Sequence, residues 1–288
     1  MADRKINFVV LPDEAGTRLD ALLVKRYPVR SRSFWSVAIK TGQVLVDNRL
    51  AKARHLLKRG QSVSFKPITL PPAAIPQMPP VIYKDRDLLV INKPAGLVMH
   101  PAGRHHHGTL LDILEKNFSA AYLVHRLDKD TSGVVLVARN LKSKDFFSDL
   151  FAKRLVKKTY LALLAGKIVP AQAYLDMPIT RGRSGKFEVN SRGRSARSFY
   201  KVVEYLPSFS LVEVHPESGR THQIRVHFRA LKHPVAGDEM YGQKTAGLSR
   251  QFLHAFKIEF VDAAGKAQQF TAPLPNDLNT FLHELRQK

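Results

Sequence analysis

Five prolines fall between residues 71 and 80: Pro71, Pro72, Pro76, Pro79 and Pro80. Each lacks a backbone donor and has a fixed φ, so the segment is stiff and extended and cannot sit inside a helix or a central strand. It divides the 288 residues into two hydrophobic patterns, each of which must close its own core. The expected organisation is an N-terminal segment over residues 1–15, a small domain over 16–66, a proline-rich linker over 67–80 and a large domain over 81–288.

In the small part, Leu19, Leu22, Leu23 and Tyr27 mark one helix face that Pro28 ends. Ser33 can cap a second helix carrying Phe34, Val37 and Ala38, with Gly42 as its stop. Val44-Leu45-Val46, the turn Asp47-Asn48 and Val63-Ser64-Phe65 read as strands. Between residues 15 and 66 there are twelve Lys/Arg against two Asp/Glu. Over the whole chain 46 Lys+Arg face 24 Asp+Glu, a net charge of +22. So large an excess repels itself, and its usual use is to bind a polyanion. A solvated basic surface with no such partner is the plain alternative.

The large part mixes strands and helices irregularly. Leu88-Leu89-Val90-Ile91, residues 160–165, residues 198–206 and residues 211–214 have strand patterns, the last two alternating as antiparallel neighbours do. Residues 110–114, Phe146 with Phe147, Leu150 and Phe151, and Ile224 with Phe228 and Leu231 have helical spacing. Strands outnumber helices without alternating with them. The expected class is therefore α+β, a mixed and largely antiparallel sheet with helices and loops, preceded by a small, basic α+β domain.

There are no cysteines, which excludes disulfides, thiolate nucleophiles and Cys-ligated metals. No apolar run approaches the ~18 residues that a membrane span needs. The run Phe8-Val9-Val10-Leu11 is too short for a signal-peptide core. A soluble cytoplasmic protein is expected.

The chemistry concentrates in His125-Arg126-Leu127-Asp128-Lys129-Asp130-Thr131-Ser132-Gly133, between the apolar segments 121–124 and 134–138. A polar loop ending in glycine between two buried strands is a common mount for catalytic groups. This run resembles the catalytic motif of the RluA-type RNA pseudouridine synthases, and the resemblance continues through most of residues 81–288. Its further pieces are Leu88 to Val98, Lys158-Thr159-Tyr160, Ser218-Gly219-Arg220-Thr221-His222-Gln223-Ile224-Arg225-Val226-His227, His233-Pro234, Gly237-Asp238, Tyr241-Gly242, Leu253-His254-Ala255 and Phe270 to Pro275. Each piece is weak alone; their shared order is specific. The small part, through Arg18-Leu19-Asp20, Ser31-Arg32-Ser33 and residues 42–46, is similar to the RNA-binding domain named after ribosomal protein S-four.

These resemblances imply isomerisation of uridines in structured RNA, most simply ribosomal RNA or its precursor. The reaction breaks an N–C glycosidic bond and forms a C–C bond to the same ribose carbon. It has no redox step, so no cofactor and no metal are expected. A carboxylate suits the ribose or the pyrimidine, and Asp128 is the candidate; attack on ribose, addition to the base and assistance to elimination all stay open. By the same resemblance Arg225 is the basic partner of Asp128, against a phosphate contact as the alternative. Spacing puts His222, Arg225 and Arg229 on one helix face, opposite Ile224, Phe228 and Leu231. Tyr160 matches the aromatic residue that can stack on a flipped uracil and assist removal of the C5 proton; unaided, its strand position reads as core. By the same resemblance Arg126 is expected to fill the space the base vacates, with a phosphate contact as the alternative, and Leu253 to wall the uracil pocket, with an ordinary core position as the alternative. His125 and Thr131, in the same motif, are candidate substrate contacts. The expected RNA contacts of the small domain are Arg30, Arg32, Lys40, Arg54 and Lys58.

Two other signals carry less. His105-His106-His107 has no acidic or Cys ligand near it, so a solvated loop is expected. Residues 181–197, with Gly182, Gly185, Gly193 and five arginines, read as a basic loop for an RNA backbone rather than a nucleotide fingerprint. A monomer that touches RNA but no membrane is expected. A non-catalytic ribosome-assembly protein would share the charge without needing the Asp128 loop, and a nucleosidase would release free base.

Overall fold

The computed structural model describes residues 5–27, 32–66, 76–101 and 108–287. Of the positions singled out above, Pro28, Arg30, Ser31, Pro71, Pro72 and the triple histidine at 105–107 lie outside the described residues. The chain divides into two compact units, Met1–Pro76 with His100–Asp112, and Gln77–Met99 with Ile113–Lys288.

The first unit contains β1 (Ile6–Val9), α1 (Leu19–Arg26), α2 (Arg32–Lys40), β2 (Val44–Val46), β3 (Arg49–Leu50) and β4 (Ser62–Phe65). Its strands form an antiparallel sheet in the order β1-β4-β2-β3. The turn joining β2 to β3 has both Asp47 and Asn48 left-handed, at φ 49° and 59°. These two residue types tolerate that conformation, and such a turn matches the strand twist. The core holds Leu19, Leu22, Leu23, Trp35, Ile39, Val44, Val63 and Phe65. Burying each such side chain contributes about 1.5–3 kcal/mol. Two details depart from the expectation. The N-terminal segment supplies an edge strand, with Ile6 and Phe8 packed on the core. The second helix begins at Arg32, so Ser33 lies inside its first turn instead of preceding it.

The second unit is built on a ten-stranded sheet. Its strands in chain order are β5 (Val81–Lys84), β6 (Leu88–Lys93), β7 (Tyr122–Leu123), β8 (Ser132–Ala138), β9 (Lys157–Ala165), β10 (Gln172–Asp176), β13 (Arg197–Leu206), β14 (Phe209–Pro216), β15 (Leu253–Val261) and β16 (Ala267–Thr271); β11 (Ile179–Arg181) and β12 (Phe187–Val189) form a separate hairpin. The main order is β10-β13-β14-β9-β15-β8-β6-β5, with β16 beside β15 and β7 beside β8. Every pairing is antiparallel except β8 with β15. The α+β class and the largely antiparallel sheet are as expected from the sequence.

All seven residues of β8 are buried, which explains its unbroken apolar run rather than an alternating one. The α-helices are α3 (Leu110–Asn117), α4 (Leu141–Ala152), α5 (Gln223–Ala230) and α6 (Asn276–Arg286). Phe147 and Leu150 of α4 pack with Val134, Leu136, Ile258 and Phe260 of the sheet. Ile224 and Phe228 of α5 pack with Ala162, Val212, Val214 and Leu253. Asn140 caps α4, its side chain accepting the Ser143 N–H at 2.8 Å. Among the described residues, no helix is long and apolar enough to cross a membrane.

Candidate active site

The loop from Val124 to Thr131 is delivered by β7 and returned by β8, where β8 runs parallel to β15. Gly133 sits opposite Ala255 at φ 120°, and a Cβ there would lie 2.1 Å from the Ala255 carbonyl oxygen. The glycine that ends the motif is thus required by close approach of two backbones. The loop is also tied from below. Lys93, fully buried at the end of β6, donates its Nζ to the carbonyls of Pro94 (2.8 Å), Leu97 (2.9 Å) and Lys129 (3.0 Å). Burial pushes the Lys93 pKa down to about 7, with Asp130 and Asp128 opposing.

Asp128 and Arg225, 97 residues apart, meet in this unit. Arg225 Nη1 donates to Asp128 Oδ2 at 3.0 Å. The other edge of the guanidinium is held by Asp238, with Nε to Oδ2 at 2.7 Å and Nη2 to Oδ1 at 2.8 Å. Asp238 is wholly enclosed and also accepts the N–H groups of Met240 and Tyr241. Burial would lower the Arg225 pKa, but Asp238 and Asp128 raise it, so the cation is secure. Gly237 shapes the approach: it is left-handed at φ 74°, and a Cβ on it would lie 2.2 Å from the Arg250 carbonyl oxygen.

A cleft of about 550 Å³ opens over this pair, in the size range of small-ligand sites. Asp128, Arg225, Tyr160, Arg126, Leu253, His125 and Thr131 all line it. The structure therefore brings together all seven residues singled out for catalysis and substrate contact. Tyr160 lies on the central strand β9, paired with Ala255 and Val214, and is half-buried. Burial pushes its phenol pKa up and the Asp128 charge adds to the push, so the hydroxyl stays protonated. Leu253, at the start of β15, is buried and packs with Tyr160. Arg126 is exposed and, among the described residues, has no hydrogen-bond or ion-pair partner.

His125 and Thr131 also serve the framework. His125 Nε2 accepts the Leu136 N–H at 2.8 Å and its ring stacks on Phe151. Burial, with Lys158 adding, pushes the His125 pKa down to about 3, so it is a neutral acceptor. Thr131 is buried and its N–H donates to the Asp128 carbonyl at 3.2 Å.

One placement is corrected. His222 is not within the helix that carries Arg225 and Arg229; it is the N-cap of α5, in a left-handed conformation, φ 56° and ψ 22°, and all three side chains meet Tyr241. Three cleft or support residues carried no role in the sequence reading: Asp238, Tyr241 and Lys158. Lys158 lines the cleft, and burial, with Arg154 adding, pushes its pKa down to about 8. The signal for Asp238 was the adjacent glycine and the short spacing to Tyr241, since a buried guanidinium needs a carboxylate from elsewhere in the fold.

In the first unit, Lys40 and Arg54 line one shallow groove together with Arg18 and Lys52. Arg32 is exposed but engaged, donating Nε to Asp20 Oδ2 at 3.0 Å beside Arg18. Lys58 is exposed on the loop before β4. Among the described residues, no group of three or more His, Asp or Glu could hold a metal ion.

A family model described as RNA pseudouridylate synthase matches residues 87–230. Over 312 residues the chain is 38% identical to the ribosomal large subunit pseudouridine synthase D of Xanthomonas campestris, covering 99% of this chain and 94% of that one. It is 31% identical to the synthase C of Vibrio cholerae, covering 96% and 95%. Among solved structures, human RNA Pseudouridylate Synthase Domain Containing 4 aligns with a TM-score of 0.60 and 27% identity, covering 72% of this chain and 93% of that one.

Proposed function

The chain belongs to the RNA pseudouridylate synthase family, and from that premise we propose that it isomerises uridines of large-subunit ribosomal RNA with Asp128 as the catalytic carboxylate. The enzyme class follows from the family. The choice of RNA rests on the names of the relatives, of which both the D and the C synthases are described as ribosomal large subunit enzymes.

The observation that carries the catalytic reading is the Asp128–Arg225 contact at 3.0 Å within a cleft of about 550 Å³. Arg225 sets a cation beside Asp128 and fixes one of its oxygens through Nη1. Oδ1 has no hydrogen-bond partner among the described residues and is free to meet the ribose or the pyrimidine. Tyr160 offers a ring on which a flipped base stacks and a hydroxyl that remains protonated. Leu253 closes the apolar side of the pocket, and Arg126 fills the space left in the RNA stack. The glycosidic bond breaks and re-forms at carbon; the proton lost from C5 matches the one gained at N1, so atoms balance without a co-reactant. In this reading the small basic unit anchors the RNA, the enzyme works as a monomer in the cytoplasm, and the linker separates two functional modules.

The test is to map pseudouridines in total RNA of cells with and without the gene, and with the Asp128→Asn allele. We expect one or more large-subunit sites to vanish in both mutants. Large-subunit RNA unchanged in the deletion strain would overturn the substrate, and sites retained with Asp128→Asn would overturn the carboxylate.

A further inference from the structure

Arg225 is not alone beside Asp128. His222 Nε2 lies 3.9 Å from the same Oδ2. The other ring nitrogen, Nδ1, is 2.8 Å from the Tyr241 hydroxyl. That hydroxyl in turn accepts the backbone N–H of Phe187, on β12, at 3.1 Å.

These contacts, with the Asp128 charge beside them, favour one arrangement of protons. A backbone N–H can only donate, so the Tyr241 oxygen is an acceptor toward Phe187. Its own proton has His222 Nδ1 as its partner at 2.8 Å; the opposite arrangement, with Nδ1–H donating to the hydroxyl, would turn the Nε2 lone pair of a neutral ring toward the Asp128 carboxylate. An imidazole that accepts at Nδ1 carries its proton on Nε2 when neutral. Burial favours that neutral form, pushing the His222 pKa down; Arg225 and Arg126 act the same way, while Asp128 and Asp238 oppose. Nε2–H therefore faces Asp128.

The backbone supports the same view. His222 is a non-glycine residue in the left-handed region, which L side chains rarely adopt. Such a conformation persists where its surroundings dictate it, and it gathers at functional sites. Here the surroundings are aromatic: Phe187 and Tyr241 pack edge-on against the imidazole, at 5.7 and 5.5 Å between ring centres. Tyr241 also lies under the Arg225 guanidinium, 5.0 Å from ring centre to Cζ. It touches both groups that face the carboxylate.

We propose that the Phe187 N–H, Tyr241 and His222 form a positioning relay that presents His222 Nε2–H to Asp128 as a second support of the carboxylate beside Arg225. The inference rests on the reading of Asp128 as the catalytic carboxylate. Both groups face Oδ2, Arg225 with a hydrogen bond at 3.0 Å and His222 from 3.9 Å, and Oδ1 is left for the chemistry. Neither Tyr241 nor His222 needs to touch the substrate; they are positioning residues.

Three variants test this. Tyr241→Phe keeps the ring under Arg225 and removes only the hydroxyl. His222→Asn keeps a polar atom where Nδ1 stands but cannot reach Asp128. His222→Gln carries an amide N–H out to where Nε2 stands. Backbone preference alone ranks Asn above Gln, because Asn tolerates the left-handed region better. The relay ranks Gln above Asn. Steady-state turnover is read on a transcript of bacterial large-subunit ribosomal RNA that the wild-type enzyme modifies, by tritium release from uridines labelled at C5, with Asp128→Asn in parallel. We expect Tyr241→Phe and His222→Asn to lower kcat about ten- to a hundred-fold, as small misplacements of catalytic groups do. KM should stay within roughly two-fold, since the ground-state contacts are unchanged, and His222→Gln should retain more activity than His222→Asn. With Asp128→Asn inactive, a wild-type kcat for Tyr241→Phe, a change confined to KM, or His222→Asn equal to or better than His222→Gln would overturn the relay and leave the Asp128 reading standing. An active Asp128→Asn enzyme would overturn that reading first and the relay with it. If Tyr241→Phe did not fold, the ranking of the two histidine variants would decide by itself.

Discussion

The Asp238 carboxylate takes the Nε and Nη2 of Arg225 at 2.7 and 2.8 Å, and so leaves Nη1 as the one nitrogen of that guanidinium free to meet Asp128. The fork is oriented before any substrate arrives. Bidentate pairs of this kind fix direction as well as charge. Removing one member of a buried ion pair typically costs about 3–5 kcal/mol, because the other is left uncompensated. Asp238→Asn should therefore lower stability by that order in denaturant unfolding and lower kcat as well. Arg225→Lys keeps the charge but not the fork. It should lose at least about ten-fold in kcat while folding normally; near-normal turnover would mean that charge alone suffices.

Asp128→Asn is isosteric and uncharged. Loss of covalent or electrostatic catalysis typically costs ~10²-fold or more, so single-turnover isomerisation should fall at least that far. RNA affinity should stay within a few-fold, because the carboxylate is one small group in a cleft lined by several cations. A rate above roughly a tenth of wild type would remove Asp128 from the centre of the mechanism.

Much of this site is legible from the chain where the physics is local. The buried run of β8, the polar loop before it and the glycine at its mouth are contiguous, and each reports its own surroundings. The pairing of Asp128 with Arg225 spans 97 residues, and no periodicity encodes it; only the family resemblance pointed there. Asp238 stands in a recognisable motif, but no local pattern gives it a role, because a partner for a buried guanidinium is fixed by the fold. His222 was misplaced on the helix for a simpler reason. Helical spacing cannot reveal that the first residue of a pattern has left-handed dihedrals. The strand β1 was missed because four residues of alternation are too short to separate from a loop.

Tyr160 can be divided into its ring and its hydroxyl. Stacking of a base on an aromatic ring is worth ~1–3 kcal/mol, and phenylalanine preserves it. Tyr160→Phe should keep RNA affinity and slow turnover. Tyr160→Ala should also weaken the complex, by about five-fold or more in Kd at the lower end of that range. The check is binding and single-turnover rate for both variants; wild-type behaviour of both would make Tyr160 an ordinary sheet residue.

Lys93 should make stability depend on pH. Its pKa falls from 10.5 in the open chain to about 7 in the folded protein. Between those values the unfolded chain binds the extra proton, so stability rises with pH across that window. The burial penalty is fully present below about 7 and relieved toward 10.5. Lys93→Met removes this term and also leaves the carbonyls of Pro94, Leu97 and Lys129 without their donor. The variant should be less stable than wild type in alkaline buffer, with the gap narrowing as pH falls from 10.5 toward about 7 and constant below that. Urea midpoints for both proteins across the window provide the measurement, and a gap independent of pH would mean that Lys93 is not desolvated.

The last expectation concerns the basic first unit. Lys40 and Arg54 line one groove there, and Lys58 stands exposed on the following loop. None of these three is in an ion pair among the described residues, in contrast to Arg32, which is held by Asp20. A cation without a carboxylate partner is free to neutralise a phosphate. Each phosphate contact releases condensed counterions, so each one lost should reduce the slope of log affinity against log salt by roughly 0.7–0.9. The triple variant Lys40→Ala, Arg54→Ala, Lys58→Ala in the full chain should therefore bind its RNA more weakly at low salt and less steeply as salt rises, by up to roughly 2–3 units of slope. Arg32→Ala should change the slope less, because its guanidinium is already committed. Single-turnover rates at saturating RNA should hold for the triple variant, since Asp128, Tyr160 and Arg225 all belong to the second unit. Affinity titrations at several salt concentrations, together with those rates, test the division of labour. An unchanged slope would remove RNA anchoring from this surface, and a lost rate at saturation would mean that the first unit takes part in the chemistry.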